Sequence, residues 1–203
     1  LLFGARQVGK TTLVRNVIDE SGYKTLYVSG DEPRISEELS SRDSRRLRGL
    51  VAGYDALFVD EAQRVPEIGI NLKILADQVT GIRIIATGSS SLDLASKTRE
   101  SLTGRAWVHR LYPIAISELI QQNKPFEVNQ QLEERLIYGS YPEIFSAPND
   151  TTRREYLETL VESYLYKDIL DLSNVRRSDK IIGLLRLLAF QVGQQVSLNE
   201  LGT

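Results

Sequence analysis

The residue types best suited to chemistry stand near the start of the chain, where Gly4, Gly9, Lys10 and Thr11 follow the spacing G-x-x-x-x-G-K-T. Glycines at these positions let successive backbone N–H groups point inward around an anion, and a helix that opens beyond them directs its positive end toward it. The lysine can reach the β- and γ-phosphates of a nucleotide, and the threonine hydroxyl is an oxygen ligand for Mg²⁺. The spacing therefore predicts a phosphate-binding loop of the Walker A type.

The segments on either side of this loop have the patterns of a strand and a helix. Residues 1–3 are apolar, as at the end of a buried strand, and Val14, Val17 and Ile18 fall on one helical face. This context favours the loop over the alternative, a glycine-containing turn without a ligand. We expect the loop and the helix start to bind the nucleotide through Gly4, Gln7, Val8, Gly9, Lys10, Thr11 and Thr12.

Two adjacent carboxylates, Asp60 and Glu61, end a second apolar segment at residues 56–59. Asp60, with Thr11, is predicted to hold Mg²⁺, and Glu61 to polarise the attacking water as a general base. The alternative is a pair of acids that marks the exit of a strand into solvent. The phosphate loop upstream favours the catalytic interpretation, and a glutamate beside the aspartate favours hydrolysis over transfer to a second substrate.

Hydroxyl side chains follow the next apolar segment, residues 82–86. Thr87 and Ser89 stand where a parallel strand would deliver them to the γ-phosphate or to the attacking water, as a polar sensor. The alternative is a turn followed by a helix N-cap at Ser90 or Ser91. Both interpretations can hold together, on different residues.

Arg105 and Arg110 are candidates to stabilise the charge of a transferring phosphoryl group, because a guanidinium is permanently charged and binds oxygens in pairs. We expect Arg105 at the nucleotide edge of the sheet, acting on its own γ-phosphate or on that of a neighbouring subunit. For either arginine the alternative is a solvated surface side chain.

Other charged residues are given no catalytic role. His109 has no second metal ligand near it in sequence. The helical stretch at residues 35–51 carries a basic face, which admits DNA or partner binding, but nearby acids favour a solvated face. The basic face consists of Arg42, Arg45, Arg46 and Arg48.

The segment at residues 123–126 lacks the acid of a guanine-reading Asn-Lys-x-Asp motif, so ATP is favoured over GTP.

The composition is that of an ordinary globular protein, with 203 residues, of which 41% are hydrophobic and 26% charged. A formal net charge of −2 provides no overall attraction to nucleic acid. The absence of cysteine excludes disulfides and thiolate metal sites. No apolar run approaches the roughly 20 residues that span a bilayer, so we expect a cytoplasmic protein without membrane contact. Because the sequence lacks methionine and begins inside a predicted strand, we also expect it to be a fragment.

Apolar strand patterns alternate with helical patterns through the first part of the chain, which predicts a parallel sheet flanked by helices, with ligands at the carboxyl ends of the strands. A last strand is expected just before Pro113. Beyond it the patterns are helical only. Outside the basic stretch, the predicted helices after residue 22 lie at residues 68–79, 92–102, 132–138, 151–172 and 179–192.

Several of these segments, taken in order, resemble a family of prokaryotic AAA-like P-loop ATPases whose members carry a C-terminal domain of unknown function. The resemblance implies an α/β P-loop NTPase core at residues 1–116, a lid-like all-helical region at 117–180 and the start of a winged-helix or other C-terminal module at 181–203. It also implies the phosphate, metal, water and sensor roles given above. The segments that carry it are residues 4–12, 57–63, 86–90, 102–105, 111–113, 137–143 and 164–169.

The function expected from these observations is that of an ATP-hydrolysing, Mg²⁺-dependent switch that couples nucleotide state to movement of the helical and C-terminal parts. The expected partners are ATP and ADP, a second copy of the chain, and DNA through the winged helix. One alternative is a nucleotide-gated DNA-binding or interaction protein with little turnover. Another, a phosphotransferase acting on a small acceptor, is disfavoured by Glu61.

Overall fold

The structure, a computed structural model, describes residues 1–89, 102–165 and 178–197. Its strands are β1 (Leu2–Gly4), β2 (Thr25–Ser29), β3 (Ala56–Asp60), β4 (Arg83–Gly88) and β5 (His109–Leu111). Within this part of the chain they form one parallel sheet in the order β2-β3-β4-β1-β5. The predicted α/β fold with a parallel sheet is therefore confirmed, and β1, which carries the phosphate loop, lies inside the sheet between β4 and β5.

The helices that connect the strands are α1 (Lys10–Ser21), α2 (Pro33–Leu39), α3 (Ser44–Leu50) and α4 (Ile68–Gln78), with a 3₁₀ turn at Ala62–Arg64. After β5 the helices are α5 (Ile116–Gln122), α6 (Pro125–Gln130), α7 (Leu132–Tyr138), α8 (Pro142–Ser146), α9 (Asp150–Leu160) and α10 (Ser178–Phe190). A π-helical turn, Val161–Leu165, continues α9. The helix predicted at residues 92–102 and the cap at Ser90 or Ser91 lie outside the described residues, apart from Leu102.

Alternation along β3 explains why helices cover both faces of the sheet, since successive side chains of a strand point to opposite sides. Leu57 and Val59 pack into a cluster with Leu39, Leu47, Leu72 and Leu75 from α2, α3 and α4. Phe58 points the other way and packs against Val14 and Ile18 of α1. A strand buried on both faces reads as a continuous apolar run, and the sequence of β3 is such a run.

The single helical stretch expected at residues 35–51 is wrong, because two helices, α2 and α3, occupy it. Arg42 adopts a left-handed conformation with φ 52°, which ends any continuous helix there. Asp43 then caps α3, since its side chain accepts hydrogen bonds from the backbone N–H of Arg45 at 2.7 Å and from that of Arg46. An aspartate N-cap was readable in the sequence, and the arginine-rich pattern obscured it.

The chain divides into two compact units, Leu1–Ala147 and Pro148–Thr203. The first contains the whole sheet and the helices up to α8, and the second contains α9 and α10. The division of the chain after residues 116 and 180, and the winged-helix start at residues 181–203, stay predictions, and residues 198–203 lie outside the described part. None of the helices described is long and apolar enough to cross a membrane.

Candidate functional site

The predicted phosphate loop connects the end of β1 to the start of α1, and its two glycines are required for different reasons. Gly9 adopts φ 97°, in the left-handed region that favours glycine. Gly4 is required by packing, because a Cβ atom there would lie 2.4 Å from the backbone oxygen of Leu111 in β5. Of the other predicted phosphate ligands, Gln7 and Val8 lie in the loop, and Lys10, Thr11 and Thr12 form the first turn of α1.

The lysine of the loop is buried, with 6% of its surface exposed. The Nζ atom of Lys10 donates hydrogen bonds to the backbone oxygens of Gly4 at 3.0 Å and of Ala5 at 2.8 Å. A buried ammonium group requires such partners, because burial without them would cost several kcal/mol. The ammonium group of Lys10 is therefore bonded to neutral backbone oxygens of the loop itself. A phosphate group bound in the loop would offer it charged oxygens instead.

Three hydrogen-bond donors surround the side chain of Asp60, at the carboxyl edge of the sheet. Its Oδ2 atom accepts a hydrogen bond of 2.8 Å from the hydroxyl of Thr11 in α1. Its Oδ1 atom accepts one from the backbone N–H of Glu61 at 3.0 Å and another from the hydroxyl of Thr87 in β4. Thr87 is almost fully buried, at 1% exposed. The structure thus brings Thr11, Asp60 and Thr87 together.

The chemistry of this cluster suits a divalent cation. Mg²⁺ is a hard ion that binds one or two protein oxygens together with waters and phosphate oxygens. The hydroxyl of Thr11 and the carboxylate of Asp60 are two protein oxygens of that kind, and they lie beside the loop. The residues present therefore fit a Mg²⁺ ion that binds together with a nucleotide.

The next acid, Glu61, is connected by hydrogen bonds through Gln63 to the end of β4, here called the sensor strand because it carries the predicted sensor residue Thr87. The sequence alone assigns no role to Gln63. Glu61 adopts a left-handed conformation with φ 49°. Its Oε2 atom accepts a hydrogen bond from the amide nitrogen of Gln63, and the amide oxygen of Gln63 accepts one from the backbone N–H of Ser89 at 3.4 Å. Gln63 thus bridges the predicted base and the predicted sensor. The 3₁₀ turn after Glu61 creates this contact, and no residue spacing reveals it.

The structure does not bring Arg105 together with these groups. Its Nε atom donates to the carboxylate of Asp77 at 2.8 Å, near the end of α4. Arg105 also precedes β5, whose first residue, His109, pairs with Leu2 at the start of β1. A residue before a parallel strand lies at the amino edge of the sheet, whereas the phosphate loop follows β1 at the carboxyl edge. Arg110 lies within β5, with an exposed side chain.

Two of the four arginines of the basic face, Arg42 and Arg46, form ion pairs. Arg42 pairs with Glu67, and Arg46 pairs with Glu38 at 2.8 Å and with Glu37 at 3.6 Å. The hydrogen bond from Arg46 lowers the pKa of the Glu38 carboxyl group. The paired acids offset the positive charge of these two arginines, which favours the solvated-face interpretation over nucleic-acid binding.

A parallel sheet with a glycine-lysine loop after an inner strand, and an acid at the end of a strand that one further strand separates from it, defines the P-loop NTPase class. The chain belongs to the AAA domain family, whose model matches residues 1–120. A model for a domain of unknown function (DUF8612) matches residues 129–203. The resemblance drawn from the sequence is therefore confirmed, and the chain is placed among nucleotide-binding proteins.

Relatives of the chain occur in archaea and bacteria. An uncharacterized protein of Methanocaldococcus jannaschii, MJ1544, is 23% identical over 99% of this chain and 48% of its own length. Uncharacterized proteins of Mycobacterium tuberculosis, Rv2008c, and Mycobacterium bovis, Mb2031c, are each 28% identical over 85% of this chain and 36% of their own length. The chain thus spans half or less of the length of these curated relatives.

Among solved structures, the chain is similar to one that describes DNA unwinding at forked DNA by two coordinating Pif1 helicases. The identity is 14%, and the match covers 71% of this chain and 45% of that one, with a TM-score of 0.35. A score this low supports no functional argument, and the DNA unwinding is a property of that helicase.

Proposed function

We propose that this chain binds ATP with Mg²⁺ and hydrolyses it, as a switch in which the nucleotide state moves the helical region and the C-terminal part of the protein. The observation that carries the proposal is the cluster at Asp60, where the first turn of the loop helix and the sensor strand meet on one carboxylate. Such a shared carboxylate would make the positions of Thr11 and Thr87 depend on what is bound. Membership of the AAA domain family supports the proposal that the ligand is a nucleotide. The match of residues 129–203 to a second domain supports the proposal that the chain has a C-terminal part that could move.

In this proposal the loop backbone and Lys10 bind the β- and γ-phosphates, and Thr11 and Asp60 hold the Mg²⁺ ion. Bound Mg²⁺ would supply positive charge to the phosphate oxygens. Lys10 would exchange its bonds to the loop carbonyls for bonds to phosphate oxygens. The bonds to the loop carbonyls would thus hold the buried lysine in place until the nucleotide arrives.

Hydrolysis requires that a water oxygen bond to the γ-phosphorus, that the bond from that phosphorus to the leaving ADP oxygen break, and that the water lose a proton. The Glu61 carboxylate would accept this proton as the general base. Thr87 and Ser89, at the end of β4, would respond to the γ-phosphate. Gln63 would keep Glu61 oriented through its contacts with Glu61 and with the backbone of Ser89.

The test is phosphate release by the full-length protein with ATP and Mg²⁺, in the presence and absence of duplex DNA. We expect release without DNA, and loss of both release and ATP affinity in Lys10→Ala. Lys124→Ala, which removes an exposed lysine, is the matched control and should behave as the wild type. Unchanged ATP affinity of Lys10→Ala by calorimetry would refute the phosphate-loop assignment. ATP binding without release would favour the alternative, a nucleotide-gated interaction protein.

A further inference from the structure

Two Tyr-Pro pairs border the phosphate loop, one after β5 and one at the start of α8. Tyr112 and Pro113 follow Leu111, whose backbone oxygen lies against Gly4 at the beginning of the loop. Tyr141 and Pro142 stand at the start of α8, and a Cβ atom on Gly9 would lie 4.0 Å from Cγ of Pro142. The two pairs are far apart in sequence, and the fold brings both to the loop.

A backbone hydrogen bond joins the two segments. The N–H of Ile114, just after the first pair, donates to the carbonyl of Ser140, just before the second, at 2.9 Å. The second segment is also anchored on both sides, because Tyr138 and Ile144 are buried in the same compact unit as the sheet. The segments at residues 111–114 and 139–142, here called the Tyr-Pro wall, are therefore held in place relative to the loop.

The chemistry of the wall suits the half of a nucleotide that the loop does not bind. A phosphate loop encloses the phosphates, so the ribose and base must lie against the surface that borders it. Tyrosine rings offer flat apolar faces for stacking on a base, together with a hydroxyl for hydrogen bonding. Tyr112 is 65% exposed, so its ring is accessible, and Tyr141 is half-buried.

We propose that the Tyr-Pro wall is the nucleoside-binding surface of the site, with Tyr112 and Tyr141 in contact with the base and ribose of bound ATP. This inference rests on the proposed function, because it requires ATP phosphates in the loop. Since residues 139–142 connect α7 to α8, the wall also gives the nucleoside a direct contact with the helical region. The phosphate loop alone provides no such contact with the base.

The experiment compares two ligands, ATP and inorganic tripolyphosphate, each with Mg²⁺, by calorimetry on the full-length protein. Tyr112→Ala and Tyr141→Ala should each weaken ATP binding about tenfold, the scale of one lost stacking contact, and leave tripolyphosphate affinity unchanged. Tyr112→Phe and Tyr141→Phe should retain most of the ATP affinity. Lys10→Ala should weaken the binding of both ligands. Tyr23→Ala removes a tyrosine that lies between α1 and β2, at the opposite edge of the sheet, and is the matched control.

Three results would overturn the inference and leave the phosphate loop intact. They are equal affinity of the wild type for ATP and tripolyphosphate, unchanged ATP affinity in both alanine variants, and an equal loss of affinity for both ligands. If Tyr141→Ala fails to fold, Tyr112→Ala still decides, because the exposed ring of Tyr112 carries little of the packing. A wild type that binds tripolyphosphate but gains nothing from the nucleoside therefore refutes the wall, whereas one that binds neither ligand refutes the proposed function itself.

Discussion

Replacement of Thr87 by valine keeps the packing of the sensor strand and removes the hydroxyl group of its predicted sensor. Valine has nearly the same volume and fits the same buried position, but it cannot donate to Oδ1 of Asp60. A hydrogen bond to a charged group contributes about 1.5–3 kcal/mol to the free energy of unfolding, and the added methyl group returns about 0.8 kcal/mol. Thr87→Val should therefore destabilise the first compact unit by about 1–2 kcal/mol.

Thr87→Ser is the matched control, because it keeps the hydroxyl and removes the methyl group. Its loss of stability should be similar, at about 1 kcal/mol for a deleted buried methyl group. The two variants should differ in catalysis, since only serine keeps a hydroxyl that can donate a hydrogen bond to Asp60 or, in its place, to the γ-phosphate. We expect Thr87→Val to lower kcat by about 10²-fold with little change in ATP affinity, and Thr87→Ser to retain most of the wild-type kcat.

Urea unfolding and steady-state phosphate release measure the two quantities separately. Equal loss of kcat in both variants would show that activity follows stability, which would refute a chemical role for the hydroxyl. Wild-type kcat in Thr87→Val would refute the sensor assignment outright. Wild-type stability in Thr87→Val would show that the bond to Asp60 contributes no more to the free energy of unfolding than the roughly 0.8 kcal/mol that the added methyl group returns.

Three further substitutions test the remaining assignments. Glu61→Gln should keep ATP and Mg²⁺ bound and lower turnover by about 10²-fold or more, whereas normal hydrolysis would place the base elsewhere. Gln63→Ala should lower kcat by about tenfold at unchanged ATP affinity, because Glu61 loses its fixed orientation, and a change in affinity alone would contradict this positioning role. Arg105→Ala should leave hydrolysis unchanged in dilute protein, since its partner is Asp77 at the amino edge. A loss of activity that mixing with Lys10→Ala restores would instead show an arginine acting in a neighbouring subunit.

The sequence was sufficient where function depends on local spacing. Gly9, Lys10 and Thr11 are neighbours in the chain, so their placement at the start of a helix follows from the motif. Asp60 and Thr87 end apolar runs, and parallel strands that end at the same edge place them together, as the hydrogen bond between them shows. These positions required only a strand order in which β1, β3 and β4 lie close to one another.

The sequence was insufficient where contacts depend on tertiary geometry. Gln63 bridges Glu61 and Ser89 because a 3₁₀ turn bends the chain back, and the motif alone does not show the direction of that turn. Arg105 was expected at the nucleotide edge because of its place in the chain order, but a residue before a parallel strand lies at the opposite edge. The two segments of the Tyr-Pro wall meet through tertiary contacts, among them the hydrogen bond from the N–H of Ile114 to the carbonyl of Ser140, and residue spacing does not reveal such contacts.

The close approach of Leu111 to Gly4 has a consequence for how this sequence can change over evolutionary time. Any side chain at position 4 would push β5 away from β1, so selection for folding alone retains glycine there. Lys10 is held differently, since its partners include two carbonyls of its own loop rather than the backbone of a neighbouring strand. A descendant that no longer needed nucleotide would therefore keep the first glycine and lose the lysine. The lysine, rather than the glycine-rich pattern, thus distinguishes working members of such a lineage from members that keep only the fold.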